Sequence, residues 1–291
     1  MPVLNFILAC LHPKGKDKMN TLPLEKKLAV ISALVEGNSI RSISRMTDVD
    51  RNTINSLLLR TGERCTAVLE SQMRGVYCRH LQCDEIWTYV QKKNRRVRSG
   101  DSPEFGDQWV FVALDEETKL VPYYQVSKRT REATIQFLWG LKRCLSEDRF
   151  QVTTDGWHFY RSIQGIFAGQ ADFAQLVKLF GDYGQFEATS EARYSPPRIS
   201  EVISKVIDGR PDEDHISTSF VERQNLTMRM QMRRFTRLTN AFSKKLENLK
   251  AACALHFAHY NFCRVHSSLR VTPAMAAGIS SRIWDLGELI A

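Results

Sequence analysis

The chain has 291 residues, of which 43% are hydrophobic and 25% are charged, as is ordinary for a soluble globular protein with room for two domains. Its formal net charge of +9 and its pI of about 9.3 favour a polyanionic partner such as nucleic acid. No run approaches the roughly 18 apolar residues of a membrane span, so a membrane protein is not expected.

The seven cysteines are an odd number and form no C-x-x-C pair, so neither a disulfide framework nor a zinc ribbon is predicted. Reduced thiols indicate a cytoplasmic protein, which we expect to be associated with the nucleoid. Residues 1–21 are interpreted as a leader and not as a targeting signal, because no Lys or Arg precedes their apolar stretch. Met19 offers a second candidate start of translation.

The N-terminal part is predicted to form three short helices joined by tight turns, at 23–36, 40–46 and 51–60. Gly37 and Asn38 end the first helix, while Ser39 and Asp50 are suited to cap the second and the third. This pattern is typical of a helix-turn-helix domain, which we assign to residues 22–62. A small three-helix bundle without a ligand is the alternative.

Three polar residues begin the third of these helices: Arg51, Asn52 and Asn55. In helix-turn-helix proteins the N-terminal residues of the recognition helix contact base edges in the major groove. We therefore predict that these side chains contact DNA.

After a linker at 63–79, the pattern changes to strands. The predicted strands lie at 81–90, 109–114, 120–126, 150–154 and 173–180, with helices at 131–145 and 158–167. The order βββαβαβ is that of the ribonuclease H-like fold, an α/β fold with a mixed sheet and helices on both faces. We assign this catalytic domain to residues 80–260, with a polar insertion at 181–213, and a C-terminal tail to 261–291.

A helix is predicted within 214–237, where a polar row lies beside an apolar stripe. The polar row consists of Glu222, Asn225, Arg229 and Arg233. Glu222 is also placed to form a capping box with Ser219, which would make it a structural residue.

Two further acids are expected to lie close to Glu222 in the folded chain. Asp84 lies within the first strand and Asp155 ends the fourth, and these strands are neighbours in the expected fold. Phosphodiester chemistry needs an activated nucleophile and a neutralised leaving oxygen, which two Mg²⁺ ions held by carboxylates supply. Glu85, Asp115 and Glu116 compete as ligands, although strand alternation directs Glu85 to the face opposite Asp84.

Long motifs carry a resemblance to a known family. The segments are CDEIW, VALDEETK, TTDGW, EARYSPP, HISTSFVERQNLTMRMQMRRFTRLTNAFSKKLENLKAA and HYNFCRVHSSLRVTPAMAAG. From Met19 onward the chain resembles insertion-sequence transposases of the IS-one type, whose catalytic domain carries a DDE triad. The best-known members have an N-terminal zinc finger with paired cysteines. That finger is absent here, so zinc-dependent DNA binding is not implied.

The resemblance implies that Asp84, Asp155 and Glu222 are catalytic acids and metal ligands, with two Mg²⁺ ions that Mn²⁺ can replace. Arg229 occupies a position where many such enzymes have a Lys or Arg that contacts DNA near the cut. Further DNA contacts are expected along the same helix, from Asn225, Arg233, Arg234 and Arg237.

The implied function is that of a transposase. It would bind the terminal inverted repeats of its mobile element, cut the ends and join them to target DNA. Pairing two ends in a synaptic complex implies a homodimer or a higher oligomer. Two alternatives remain from the sequence: a DNA-binding regulator without catalytic activity, and a ribonuclease H-like nuclease that cuts without joining.

Overall fold

The computed structural model of the chain describes residues 21–180, 199–236 and 239–290. The helices are α1 (Leu24–Val35), α2 (Ile40–Thr47), α3 (Arg51–Gln72), α4 (Arg131–Cys144), α5 (Ile163–Ile166), α6 (Ser219–Gln231), α7 (Leu246–Ala258) and α8 (Pro273–Ala276). The strands are β1 (His80–Val90), β2 (Gly106–Asp115), β3 (Tyr123–Ser127), β4 (Phe150–Asp155), β5 (Ala171–Phe180) and β6 (Ile199–Asp208).

The six strands form one mixed sheet in the order β3-β2-β1-β4-β5-β6. β1 pairs with β2 antiparallel and with β4 parallel, and β5 runs parallel to β4. β3 and β6 are antiparallel edge strands. This topology confirms the predicted α/β class with its ribonuclease H-like mixed sheet.

The centre of the sheet is apolar because both of its faces are covered. In β2, the run from Val110 to Leu114 is buried at every position. A strand covered on both faces loses the alternation of polar and apolar residues and becomes continuously hydrophobic. The polar and acidic residues at the centre of β1 depart from this rule, and they form the site described below.

The three N-terminal helices have the predicted order and caps. The Ser39 hydroxyl accepts a hydrogen bond of 3.0 Å from the Ser42 amide, and the Asp50 carboxylate accepts one of 2.8 Å from the Asn52 amide. A side-chain oxygen at this position satisfies an amide that the helix itself leaves unpaired.

The predicted end of the third helix at residue 60 is wrong, because α3 continues without a break to Gln72. Gly62 allows this helix to pack closely against α7. A Cβ atom there would lie 2.5 Å from the Cα and Cβ atoms of Ala251. Gly62 is therefore a helix-packing residue.

The C-terminal residues that were predicted to form a tail pack against the core. The Arg64 Nε donates a hydrogen bond of 2.9 Å to the Glu288 carbonyl oxygen, and Leu289 is fully buried. One hydrophobic core includes residues from Val30 in α1 to Ile290 near the C-terminus. The described residues therefore do not separate into the predicted domain and tail.

The predicted insertion at 181–213 contains β6, which the sequence analysis missed. β6 is an edge strand whose side chains are mostly exposed. Its apolar residues recur at helical spacing instead of alternating, so the sequence gives no clear strand signal: Ile199, Val202, Ile203, Val206 and Ile207. The predicted helix at 214–237 is also shorter than expected, and α6 is flanked by single 3₁₀ turns at Glu213–His215 and Arg233–Phe235.

Six cysteines lie in the described part of the chain, and all of them are free thiols. In the same part of the chain, no helix combines the length and the apolar character that crossing a bilayer requires.

Candidate active site

Two acidic residues lie side by side on neighbouring strands. Cys83 of β1 pairs in parallel with Thr154 of β4, so the next residue on each strand is an aspartate. Asp84 and Asp155 both line a pocket of about 400 Å³, which we call the acidic pocket. The sequence analysis placed both acids on adjacent strands, and the structure brings them together.

The third predicted acid, Glu222, lines the same pocket from α6. A buried glutamine holds this helix against β1. The Gln82 side-chain oxygen accepts hydrogen bonds from the amides of Phe220 (2.9 Å) and Val221 (3.1 Å). These amides belong to the first turn of α6, where the helix leaves donors unpaired. Gln82 thus fixes the start of α6, and with it the position of Glu222.

The capping box expected from Ser219 does not form, because the N-cap is Thr218 and its side chain caps no amide. Instead, the Thr218 hydroxyl donates a hydrogen bond of 2.6 Å to Oε1 of Glu222. The Lys178 ammonium of β5 forms an ion pair with the same oxygen. The Glu222 carboxylate is therefore oriented toward the pocket and neutralised by a cation in it.

A second cation in the pocket, Arg129, lies between two aromatic rings and two carboxylates. Its guanidinium carbon is 4.8 Å from the ring centroid of Trp109 and 4.1 Å from that of Trp157. Its Nη2 atom is 2.9 Å from Oε2 of Glu85 and 3.2 Å from Oδ2 of Asp155. Both stacking and ion pairing fix this arginine in one position.

Burial shifts the pKa values of three carboxyl groups upward. Burial, with the nearby charge of Asp155, raises the pKa of Asp84 to about 7. The same two causes raise the pKa of Glu85 to about 8, although Arg129 opposes the shift. Burial also raises the pKa of Asp155, against the hydrogen bond from the Trp157 amide and the charge of Arg129. Several acids forced together in this way are characteristic of functional sites.

One oxygen from each of Asp84, Glu85 and Asp155 lies within 4.8 Å of the others, which is the spacing of a metal-binding set. Glu222 does not belong to this tightest set, although it lines the pocket. Glu85 and Glu222 differ in their surroundings. The Glu85 carboxylate is almost fully buried and bound to Arg129, whereas the Glu222 side chain is 43% exposed toward the pocket.

The other competing acids have structural contacts. Asp115 accepts hydrogen bonds from the Thr118 amide (2.8 Å) and hydroxyl (2.6 Å) in the turn after β2. The Glu116 carboxylate is 3.1 Å from Nδ1 of His215. Neither acid lines the acidic pocket.

The residues predicted to contact DNA do not form one surface. Arg51, Asn52 and Arg233 are exposed, and Arg229 is half-buried outside the lining of the acidic pocket. Asn55 donates its side-chain amide to the Arg51 carbonyl oxygen at 3.0 Å. Arg237 lies outside the described residues.

Two members of that predicted set face the interior. Asn225 is buried and donates a hydrogen bond of 2.8 Å to Oδ2 of Asp84, because it lies on the face of α6 that packs on β1. The Arg234 guanidinium donates one of 2.8 Å to the Ser243 hydroxyl, and its burial lowers its pKa. The expected continuous row of exposed arginines is therefore interrupted.

The sequence analysis did not identify four polar residues of the site: Gln82, Arg129, Lys178 and Thr218. Of these, only Gln82 had a local signal, since a buried amide within an apolar strand requires a partner. The contacts of the other three depend on how distant segments meet.

No protein-family model matches the chain, and no curated protein is significantly similar to it. Among solved structures, the chain is similar to a Mos1 strand transfer complex, with 17% identity, 53% of this chain covered and a TM-score of 0.22. It is similar to a Mos1 mariner paired-end complex with Mn at 16% identity, 52% coverage and a TM-score of 0.22. A piggyBac transposase synaptic complex with hairpin DNA matches at 11% identity over 95% of this chain and 72% of that chain, with a TM-score of 0.35.

The chain spans 60% and 59% of the length of these two Mos1 chains. TM-scores this low do not establish a shared fold. The fold assignment therefore depends on the strand order alone.

Proposed function

We propose that this protein is a DNA transposase whose catalytic acids are Asp84, Asp155 and Glu222. The observation that carries the proposal is that these three acids, which are far apart in the sequence, line one pocket of about 400 Å³. Two rigid elements, β1 and β4, and a helix tied to β1 supply them. The reaction class comes from the family resemblance of the surrounding motifs.

The donors of the pocket suit a hard divalent cation. They are carboxylate oxygens, which Mg²⁺ and Mn²⁺ prefer. The Asn225 side-chain oxygen, next to Asp84, is also buried without a hydrogen-bond partner, as expected of a group whose partner is not part of the protein. Asp84, Asp155 and Glu222 would hold two such ions. Bound divalent cations make a water or a 3′-hydroxyl a stronger nucleophile and neutralise the leaving oxygen.

The remaining pocket residues bind and orient. Asn225 holds the Asp84 carboxylate, and Thr218 holds that of Glu222. Lys178 and Arg129 place two positive charges in the pocket, where a DNA phosphate would enter. The half-buried Trp157 limits the motion of Arg129 and covers one wall of the pocket.

Recognition of the element would use the N-terminal helices. We propose that α1 to α3 form the helix-turn-helix, with the exposed Arg51 and Asn52 at the start of α3 facing the major groove of the terminal inverted repeats. Arg229 and Arg233 are further candidates for backbone contacts with DNA. Pairing two ends would require a dimer or a higher oligomer.

Cleavage and strand transfer are tested on duplexes taken from the DNA that flanks the coding sequence on each side. With Mg²⁺, the intact protein is expected to nick one of these flanks and to join the freed 3′ end to a second duplex. Asp84→Asn, Asp155→Asn and Glu222→Gln should each abolish both steps and leave binding to the duplex unchanged. The Glu147→Gln variant, which changes an exposed acid outside the pocket, is the matched control. Unchanged chemistry in the three site variants would refute the proposal.

A further inference from the structure

The loop between β1 and β2 carries five basic residues within seven positions: Lys92, Lys93, Arg95, Arg96 and Arg98. Acidic side chains at its base give it a defined shape. The Lys92 ammonium is 2.9 Å from both carboxylate oxygens of Asp101. The backbone amide of Asn94 donates a hydrogen bond of 3.1 Å to the Asp107 carboxylate.

Gly106 ends the loop with a φ of +90°, and a Cβ there would lie 2.9 Å from Oδ1 of Asn94. Only glycine adopts this conformation readily and leaves room for the asparagine. The loop backbone is therefore a folded hairpin end.

A second pocket of about 560 Å³, which we call the hairpin pocket, lies against this loop and is separate from the acidic pocket. Its lining consists of Trp87, Lys93, Asn94, Arg95 and Asp107. The Lys93 ammonium is 5.8 Å from the centre of the Trp87 ring. In the part of the chain that the structure describes, no carboxylate pairs with Lys93 or Arg95. The pocket thus combines an aromatic face with cations that have no acidic partner.

The hairpin pocket and the surroundings of Arg129 share one face of the sheet. Trp87 lies directly opposite Trp109 in the β1–β2 register, so both rings are on the same face of the sheet. Arg129 packs between Trp109 and Trp157, and it contacts Asp155 in the acidic pocket. Trp87 therefore lies on the same face of the sheet as Trp109, which packs on the arginine that binds Asp155.

We propose that the hairpin pocket binds an unpaired nucleotide of the DNA strand that enters the acidic pocket. A base would stack on Trp87, and Lys93 and Arg95 would bind the flanking phosphates. Base–aromatic stacking is independent of sequence, and phosphates are the natural partners of cations without acidic partners. The concave lining admits a single base, whereas a duplex presents its bases only at their edges. The identity of the strand as a substrate rests on the proposed function.

The test is equilibrium binding of the full chain to a short single-stranded DNA, the same sequence as a duplex, and the same sequence as RNA. It is done without divalent cations and in Asp84→Asn protein, so that binding is measured without chemistry. The variants are Trp87→Leu, Trp87→Phe and the double variant Lys93→Gln with Arg95→Gln. The double variant Arg143→Gln with Lys250→Gln removes two exposed charges elsewhere and is the control.

Trp87→Leu is expected to weaken single-strand binding about tenfold, and Trp87→Phe by less because a ring remains. The double variant Lys93→Gln with Arg95→Gln should make the plot of log binding constant against log salt concentration shallower by about 1.4, as expected for two lost phosphate contacts. Duplex binding should change by less than about twofold. Far-UV circular dichroism and the melting temperature verify that each variant is folded, and Trp87→Phe tests the pocket if Trp87→Leu does not fold.

Three results would overturn the inference: variants that bind the single strand like the control, an equal loss for duplex and single strand, or a loss confined to RNA. The test also separates the two proposals. Hairpin-dependent binding in a protein that shows no Mg²⁺-dependent cleavage would retain this site and refute the transposase proposal. Mg²⁺-dependent cleavage by a protein whose single-strand binding does not depend on the hairpin would support the transposase proposal and refute the hairpin site.

Discussion

The side-chain amide of Asn225 donates a hydrogen bond of 2.8 Å to Oδ2 of Asp84, which joins α6 to the central strand at the acidic pocket. This bond favours the ionised carboxylate and opposes the effect of burial on its pKa. Asn225 is therefore a positioning residue for the acid, where the sequence had suggested a contact with DNA.

Asn225→Ala is expected to lower the cleavage rate about 10- to 100-fold, the usual effect of losing a partner that orients a metal ligand. The pKa of Asp84 should rise further, so Mn²⁺ binding, followed by electron paramagnetic resonance, should need a higher pH. Leu226→Ala, on an exposed position of the same helix, is the control. Weaker DNA binding with unchanged Mn²⁺ binding would instead support the DNA contact.

At pH 9, where Glu85 is ionised, Arg129→Gln should destabilise the protein by about 2–3 kcal/mol, because it leaves the buried Glu85 without its cation. Glu85→Gln in the same chain should restore most of that loss, since the second change removes the unpaired acid. Urea unfolding of the two single variants and the double variant measures the coupling. Additive effects of the two changes would show that the contact between them contributes nothing to stability.

The metal-free protein should lose stability as the pH rises. The pKa of Asp84 is about 7 in the folded protein, above the value of about 4 in an unfolded chain. The protonated form is therefore favoured by folding, and its contribution is complete below about pH 4 and lost as the pH rises through about 7. Glu85, with a pKa of about 8, acts in the same direction.

It follows that Asp84→Asn should stabilise the metal-free protein at pH 8 by about 2–4 kcal/mol, and far less at pH 4. Thermal unfolding in the presence of a chelator measures both values. Adding Mg²⁺ at pH 8 should raise the melting temperature of the intact protein and leave that of the variant unchanged. A variant that is equally stable or less stable at pH 8 would contradict the elevated pKa.

Gly62→Ala tests the packing of α3 against α7. The new methyl group would clash with Ala251, and overpacking of this kind costs about 1–3 kcal/mol. Gly165→Ala, in a helix where a Cβ has no neighbour within 4 Å, should be neutral or stabilising. Thermal unfolding compares them, and Ala251→Gly in the Gly62→Ala background should recover part of the loss. Equal melting temperatures for the two alanine variants would refute the close contact.

The sequence was sufficient for features that depend on local pattern. Each of these features is encoded by a short stretch of sequence, and the structure has all of them. They are the strand around Asp84, the turn at Asp155 and the caps at Ser39 and Asp50. The pairing of β1 with β4 followed from the fold that the succession of strands and helices indicates. The long segment containing Glu222 then supplied the third acid through its family resemblance.

Features that depend on distant contacts could not be predicted from the sequence. Gly62 resembles the end of a helix until Ala251 is seen against it, and Asn225 resembles a surface residue until α6 is placed on β1. Arg129 follows the third strand without any local sign that two tryptophans and two acids surround it. The edge strand β6 has five Ile or Val residues, but their spacing is that of a helix, so the alternation that marks a strand is missing.

The central claim is that Asp84, Asp155 and Glu222 hold divalent cations together. The most direct measurement is the anomalous scattering of Mn²⁺ soaked into crystals of the protein. We predict density in contact with Asp84 and Asp155, and with Glu222 after Lys178 has moved away from it. Density bound by Glu85 in place of Glu222, or no density in the pocket at saturating Mn²⁺, would contradict the assignment.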